Sequence, residues 1–141
     1  MGATTSALRV LIIDDSDSTR LILNTIFCRV PGIAKVDEAV DGLDGLARVR
    51  QAYEKKLPYH LITLDLEMPD FDGRDFISFL RRHESDCAEE DPVRVLLVSA
   101  ANDNKAIVDM MRYGCSGYLR KPFNSQDISL KLKEWFGLGA P

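Results

Sequence analysis

A doubly wound α/β domain built on a five-stranded parallel sheet is predicted by three observations. Five apolar runs rich in β-branched residues recur along the chain, most are continuous rather than alternating in polarity, and the segments between them carry apolar residues at helical spacing. Continuous apolar strands are buried on both faces, which calls for a parallel sheet with helices on either side. The strands are predicted at 8–13, 36–40, 59–64, 93–98 and 117–119, each followed by a polar or Gly-containing break. Ile22, Leu23, Ile26, Phe27 and Val30 mark the first helix, Leu46, Val49 and Tyr53 the second, and Phe76, Phe79 and Leu80 the third. Ile107, Met110, Met111 and Gly114 mark the fourth, and Ile128, Leu132, Trp135 and Phe136 give the fifth an i, i+4, i+7, i+8 stripe, with Ser125 as its N-cap. With right-handed crossovers, the commonest small solution for a (βα)5 chain is the flavodoxin-like sheet of order 2-1-3-4-5.

The composition fits one globular unit: 141 residues, 45% hydrophobic, with a formal charge of −4. No apolar run approaches the roughly 20 residues of a membrane-spanning helix, and the N-terminus lacks a signal-peptide pattern, so a cytoplasmic protein without membrane insertion is expected. The mild acidity, with no cluster of Lys and Arg, disfavours direct nucleic-acid binding. Cys28, Cys87 and Cys115 form no CxxC pair and read as buried or incidental thiols of a reducing compartment. The acidic stretch 83–92 reads as a solvated loop, with a partner contact as the second reading. Residues 1–6 fit a myristoylation pattern, but one so short that chance matches are common; 1–7 is expected to be a disordered tail and 137–141 a C-terminal tail.

The chemistry lies in where the polar residues fall. Asp14 and Asp15 end the first predicted strand, Asp65 the third, Ser99 the fourth and Lys121 the fifth. In a parallel sheet these carboxyl ends share one edge, and the ligand crevice opens where strand order reverses, between strands 1 and 3. Asp15 and Asp65, fifty residues apart, are thereby brought side by side. Three carboxylates in one crevice repel and raise one another's proton affinity unless a cation neutralises them. Oxygen ligands without His or Cys at metal spacing select Mg2+, with Mn2+ as the alternative, over zinc. A lysine and a hydroxyl complete what a transferring phosphoryl group requires.

Asp14-Asp15, the segment 64–73 around Asp65, Ser99-Ala100 and the segment 117–123 around Lys121 resemble the receiver domain of two-component response regulators, over 8–136 and with every motif in order. The resemblance implies that Asp65 is the phosphoacceptor, attacking the phosphorus of a phosphohistidine. It implies that Asp15 and Asp65 ligate Mg2+ directly, that Asp14 acts through a bound water, and that the backbone carbonyl of Glu67 completes the shell. Lys121, the Ser99 hydroxyl and the Ala100 N–H would bind phosphoryl oxygens, and a cis bond before Pro122 would aim Lys121. Ser99 and Tyr118 take the switch positions: the phosphoryl group draws in the Ser99 hydroxyl, Tyr118 rotates inward, and the face of helix 4, strand 5 and helix 5 changes shape. Met110, Met111, Tyr113, Tyr118 and Arg120 are expected on that face. Ser99 stands where Thr is more frequent and keeps the hydroxyl. Glu67 and Ala101 take the positions that tune phosphoryl lifetime, and the Glu67 side chain is left three courses: to point outward, to reach the metal, or to orient or repel water.

Taken singly, these residues have plainer readings. One Asp after a strand is ordinarily a cap or turn residue, and 70–73 lacks the spacing of a calcium loop and reads as a turn into helix 3. His60 and His83 have no partner at ligand spacing and read as structural or solvent-facing; Met110, Met111 and Trp135 read as core or groove filler. The combined set points to a stand-alone phosphorylation-controlled binding module, a phosphoacceptor rather than an enzyme acting on other substrates. Its partners would be a histidine kinase or histidine phosphotransfer protein and a downstream protein target, and it would be a monomer or weak homodimer. The alternatives are a relay carrier that passes the group to a phosphotransfer protein, an aspartate-nucleophile phosphatase, and a module that binds without phosphorylation. The phosphatase reading is weak, because Asp65-Leu66-Glu67 imitates the D-x-D pattern poorly and on the wrong strand.

Overall fold

The computed structural model describes residues 7–69, 71–85, 92–100 and 104–138. Strands and helices alternate: β1 (Leu8–Ile13), α1 (Asp17–Cys28), β2 (Ile33–Ala39), α2 (Gly42–Glu54), β3 (Leu61–Leu64), α3 (Gly73–Ser85), β4 (Arg94–Ser99), α4 (Asn104–Tyr113), β5 (Gly117–Arg120) and α5 (Ser125–Phe136). The strands pair in parallel in the order β2-β1-β3-β4-β5, the flavodoxin-like topology expected. Residues 1–6, Asp70, 86–91 with Cys87, 101–103 with Ala101, and 139–141 lie outside the described residues, so the tail, acidic-loop and Ala101 expectations lie there wholly or in part.

Each apolar run is continuous because successive side chains feed opposite cores. Leu11, Ile13, Ile62, Leu64, Val95 and Leu97 pack with Val49, Phe76, Ile77, Leu80 and Met110 from α2, α3 and α4. Val10, Ile12, Leu61, Leu96, Val98 and Leu119 pack with Leu23, Phe27, Ile128 and Leu132 from α1 and α5. The strand with the least apolar run, β2, starts at Ile33 rather than at 36, since Lys35, Asp37 and Glu38 occupy an edge strand that needs no fully buried face.

Four local expectations are corrected. The inward stripe of α1 is Arg20, Leu23 and Phe27; Ile22 lies about 100° round the helix from Leu23 and is 50% exposed. Asn124, not Ser125, caps α5: its side chain accepts from the Asp127 N–H at 2.9 Å while the Asp127 carboxylate accepts from the Asn124 N–H at 2.9 Å. Residues 83–85 extend α3 rather than opening a loop, because the His83 ring packs on Phe79 with centroids 4.2 Å apart and Glu84 accepts from Arg81 and from the Val93 N–H. Met110 is buried, as its core reading has it, and so does not stand on the outer face with Met111 and Tyr113. His60 is structural as expected, its Nδ1 accepting from the Arg9 N–H at 3.0 Å.

Helix α2 approaches the sheet through glycines. A Cβ on Gly45 would stand 2.6 Å from the Ile13 Cδ1, and one on Gly42 within 1.9–2.2 Å of the Phe71 ring. Phe71 belongs to the connection from β3 to α3, so this close approach also packs the loop that follows Asp65. Gly42→Ala is expected to destabilise the protein by about 1–3 kcal/mol through overpacking, more than the helix-propensity gain of roughly 1 kcal/mol can offset; a lowered urea midpoint checks it.

Candidate functional site

The topology delivers its polar residues to one edge. The Asp14 N–H bonds the Ala39 carbonyl at 3.2 Å, and the Asp65 N–H bonds the Ile13 carbonyl at 3.1 Å, so the sheet ladder itself sets the two aspartates side by side. Asp14 and Asp65 are buried, at 1% and 5% exposure, and Asp15 is exposed. Carboxylate oxygens from all three lie within 4.8 Å of one another. Lys121, after β5, sends its Nζ to Asp14 Oδ2 at 3.1 Å and to within 3.7 Å of Asp65 Oδ2. The Lys121–Pro122 bond is cis.

Local hydrogen bonds fix the carboxylates. Asp14 Oδ1 accepts from the Ser16 N–H at 2.8 Å, and Asp65 Oδ1 accepts from the Glu67 N–H at 3.0 Å. Each aspartate thus caps its own turn with one oxygen and leaves the other turned toward Lys121. Burial holds the Asp65 carboxyl above its ordinary range; the Glu67 N–H opposes this, the Asp14 charge adds to it and the Lys121 ammonium opposes it. One ammonium against three carboxylates leaves the crevice anionic. The donor set is oxygen alone, clustered tightly enough to share one ion, and so fits a hard divalent cation.

Ser99, fully buried at the end of β4, and Ala100 complete the site. The Glu67 side chain is turned to the end of β4, a contact not among the three courses left open by the sequence. Its Oε1 accepts from the Ser99 hydroxyl at 2.9 Å and from the Ala100 N–H at 2.9 Å. Tyr118 is half-buried, its hydroxyl 3.4 Å from the Ser99 carbonyl oxygen.

One supporting residue escaped the sequence reading. Arg20, 8% exposed, donates to the Asp14 carbonyl at 2.6 Å, to Glu38 at 3.2 Å and to Asp17. It therefore clamps the backbone of the residue that anchors Lys121. Its signal was present: position 20 continues the Leu23 and Phe27 stripe, where an arginine has to find acceptors. Neither cysteine among the described residues belongs to the site. Cys28 is exposed on α1, and burial pushes the Cys115 thiol up to about 12.

An aspartate triad, a lysine and a buried serine hydroxyl gather on the carboxyl edge of a 2-1-3-4-5 sheet. Residues 10–133 match the model of the response regulator receiver domain, and the chain belongs to that family. It is 31% identical over 128 residues to a probable C4-dicarboxylate response regulator, DctR, of Halalkalibacterium halodurans, covering 91% of this chain and 51% of that protein. It is 36% identical over 119 residues to protein-glutamate methylesterase/protein-glutamine glutaminase 1 of Geobacter sulfurreducens, covering 83% of this chain and 30% of that protein. The chain thus spans about half or less of these relatives' lengths. Among solved structures it is similar to Vibrio cholerae chemotaxis protein CheY4, with a TM-score of 0.74 and 23% identity over 92% of this chain and 99% of that one. The response regulator domain of Thermotoga maritima CheB gives 0.70 and 26%, over 95% and 99%. No helix among the described residues is long and apolar enough to cross a membrane.

The raised proton affinity of Asp65 carries a stability consequence. Its folded pKa lies above the unfolded value, so ionisation at neutral pH costs the folded state free energy, and that cost fades as the pH falls through the folded pKa and is gone below the unfolded one. Without divalent cations, Asp65→Asn is expected to raise the thermal midpoint at pH 7, with the gain shrinking toward zero near pH 3.5. Melts across that range check it.

Proposed function

We propose that residues 8–136 act as a receiver in which Asp65 accepts a phosphoryl group from a phosphohistidine on a histidine kinase or phosphotransfer protein, and that the modification switches binding to a downstream protein. The observation that carries this reading is the placement of the Lys121 ammonium against both buried aspartates. It leaves Asp65 held in a crevice that already contains one cation for the incoming phosphoryl oxygens.

In this reading Asp65 supplies the attacking carboxylate oxygen. Its anchored Oδ1, bonded to the Glu67 N–H, keeps the carboxyl from rotating away from the crevice. Asp14, Asp15 and Asp65, with the Glu67 backbone carbonyl, would hold Mg2+, or Mn2+ in its place. When bound, a divalent cation supplies neutralisation of the phosphoryl oxygens. Lys121 binds one of those oxygens, and Ser99 and Ala100 offer donors to another. Arg20 keeps Asp14 in position from behind.

The output face is that of α4, β5 and α5. Val108, Met111 and Tyr113 are 48%, 40% and 48% exposed on α4, and Arg120 is exposed beside them on β5. Tyr118 links the two, lying on β5 with its hydroxyl at the Ser99 carbonyl. Phosphorylation biases a conformational equilibrium here by as much as it prefers one conformer.

Intact-protein mass after incubation with acetyl phosphate tests the chemistry. The expected result is gain of one phosphoryl group that requires Mg2+, is abolished by EDTA and is lost in Asp65→Asn. Absence of an adduct from several donors with Mg2+ binding intact would favour a module that works without phosphorylation. Steady donor hydrolysis without an adduct would call for trapping the intermediate, to separate rapid self-dephosphorylation from a phosphatase.

A further inference from the structure

We infer that Glu67 is a built-in stand-in for a phosphoryl oxygen: its carboxylate fills the Ser99 and Ala100 donors at rest, and an incoming phosphoryl group must take them from it. The inference rests on the reading of Asp65 as phosphoacceptor and names the residue that sets how readily that site is filled.

The geometry is specific. Two donors from the end of β4, a hydroxyl and a backbone N–H, converge on a single oxygen of Glu67 at 2.9 Å each. Paired donors converging on one anionic oxygen form the type of site that stabilises a charged oxygen in transfer chemistry. Ser99 is fully buried, so its hydroxyl has little access to solvent as an alternative acceptor. Glu67 reaches the donors from two residues beyond Asp65, its own N–H held by Asp65 Oδ1. The backbone is thereby pinned, and only rotation about the side-chain bonds separates the occupied from the vacated arrangement.

A phosphoryl oxygen and Glu67 Oε1 cannot both receive these donors in the same place. Leaving Glu67 there would also set a carboxylate in contact with a dianion, in a crevice that already holds Asp14, Asp15 and Asp65. Phosphorylation is therefore an exchange of anions, and its net gain from Ser99 and Ala100 is the difference between two acceptors. A second consequence is structural. The Ser99 hydroxyl is already engaged from the crevice side, with the Tyr118 hydroxyl at its carbonyl, before any phosphoryl group is present.

The test uses the full chain, acetyl phosphate and saturating Mg2+. An Asp65 carboxylate oxygen attacks phosphorus, the new O–P bond forms as the P–O bond to acetate breaks, and acetate leaves with the electron pair. Rates are read by intact mass for wild type, Glu67→Ala and Glu67→Asp. Glu67→Ala is expected to be phosphorylated about tenfold faster, the factor set by losing competition from roughly one charge-assisted hydrogen bond. Glu67→Asp keeps the charge but is one methylene too short to hold both donors, and should also be faster. In parallel, the Ala100 amide resonance of the unphosphorylated wild type should lie close to its phosphorylated position, and in Glu67→Ala it should start well upfield and move there on phosphorylation. Acceleration in Glu67→Ala alone would overturn the inference in favour of simple charge repulsion. Equal or slower rates in both variants, or an Ala100 resonance shared by resting wild type and Glu67→Ala, would overturn it while the phosphoacceptor reading stood. No adduct in any of the three proteins would overturn both.

Discussion

The crowding of carboxylates at the carboxyl edge of the sheet is the constraint on which the site depends. Asp14 and Asp65 are held in place by β-ladder hydrogen bonds, so the strand pairing that builds the core also imposes their proximity. Neither can retreat to solvent without breaking the ends of β1 and β3. What makes the arrangement tolerable is the Lys121 ammonium, carried in from the far edge of the sheet by β5, together with one backbone N–H for each carboxylate. The compensation is incomplete: burial first, and the neighbouring Asp14 charge after it, hold the Asp65 carboxyl above its ordinary range despite the Glu67 N–H and Lys121. An all-oxygen crevice left anionic in this way suits a hard divalent cation, which is the ion the proposed phosphoryl transfer would need.

The fold was largely legible because its strongest signal is local. Strands buried on both faces write themselves as unbroken apolar runs, and four of the five were found within about two residues of their observed limits; such limits are the least reliable part of any reading from periodicity. The edge strand β2 is longer at its start than its apolar run because Lys35, Asp37 and Glu38 interrupt the pattern of a strand only half-buried between α1 and α2. The errors at α1 and α5 have a common cause. Ile22 and Ser125 each suit the role assigned to them, but a neighbour that satisfies more polar groups takes it: Arg20 sets the inward stripe and Asn124 completes a reciprocal cap.

The site was legible for a different reason, namely that order along the chain and position at strand ends together specify which side chains meet. Asp14, Asp65, Ser99 and Lys121 do meet at one edge. What order and spacing do not encode is the direction of a flexible side chain. Glu67 could be placed beside the crevice from its distance to Asp65, but the choice among outward, metal and water omitted the donors on β4. Those donors belong to a strand whose register against β3 only the folded sheet reveals. The Arg20 clamp has a similar origin, because its acceptors Asp14 and Glu38 stand at the ends of β1 and β2, which only the folded sheet brings together.

Ser99 is the point at which crevice and outer face become one system. Its hydroxyl serves the crevice, while its carbonyl accepts from the Lys121 N–H at 2.9 Å and lies 3.4 Å from the Tyr118 hydroxyl. A displacement of this one residue is therefore felt by the lysine that neutralises the aspartates and by the aromatic ring behind the α4 surface. Because it is fully buried at the end of β4, Ser99 is held by the packing around it. In the proposed switch, an anion at its hydroxyl would act on the outer face only through the difference in how well it suits each conformer. The range of the proposed switch would accordingly be set by two comparisons, between the anions that can occupy the Ser99 donor and between the ring positions that its carbonyl will accept.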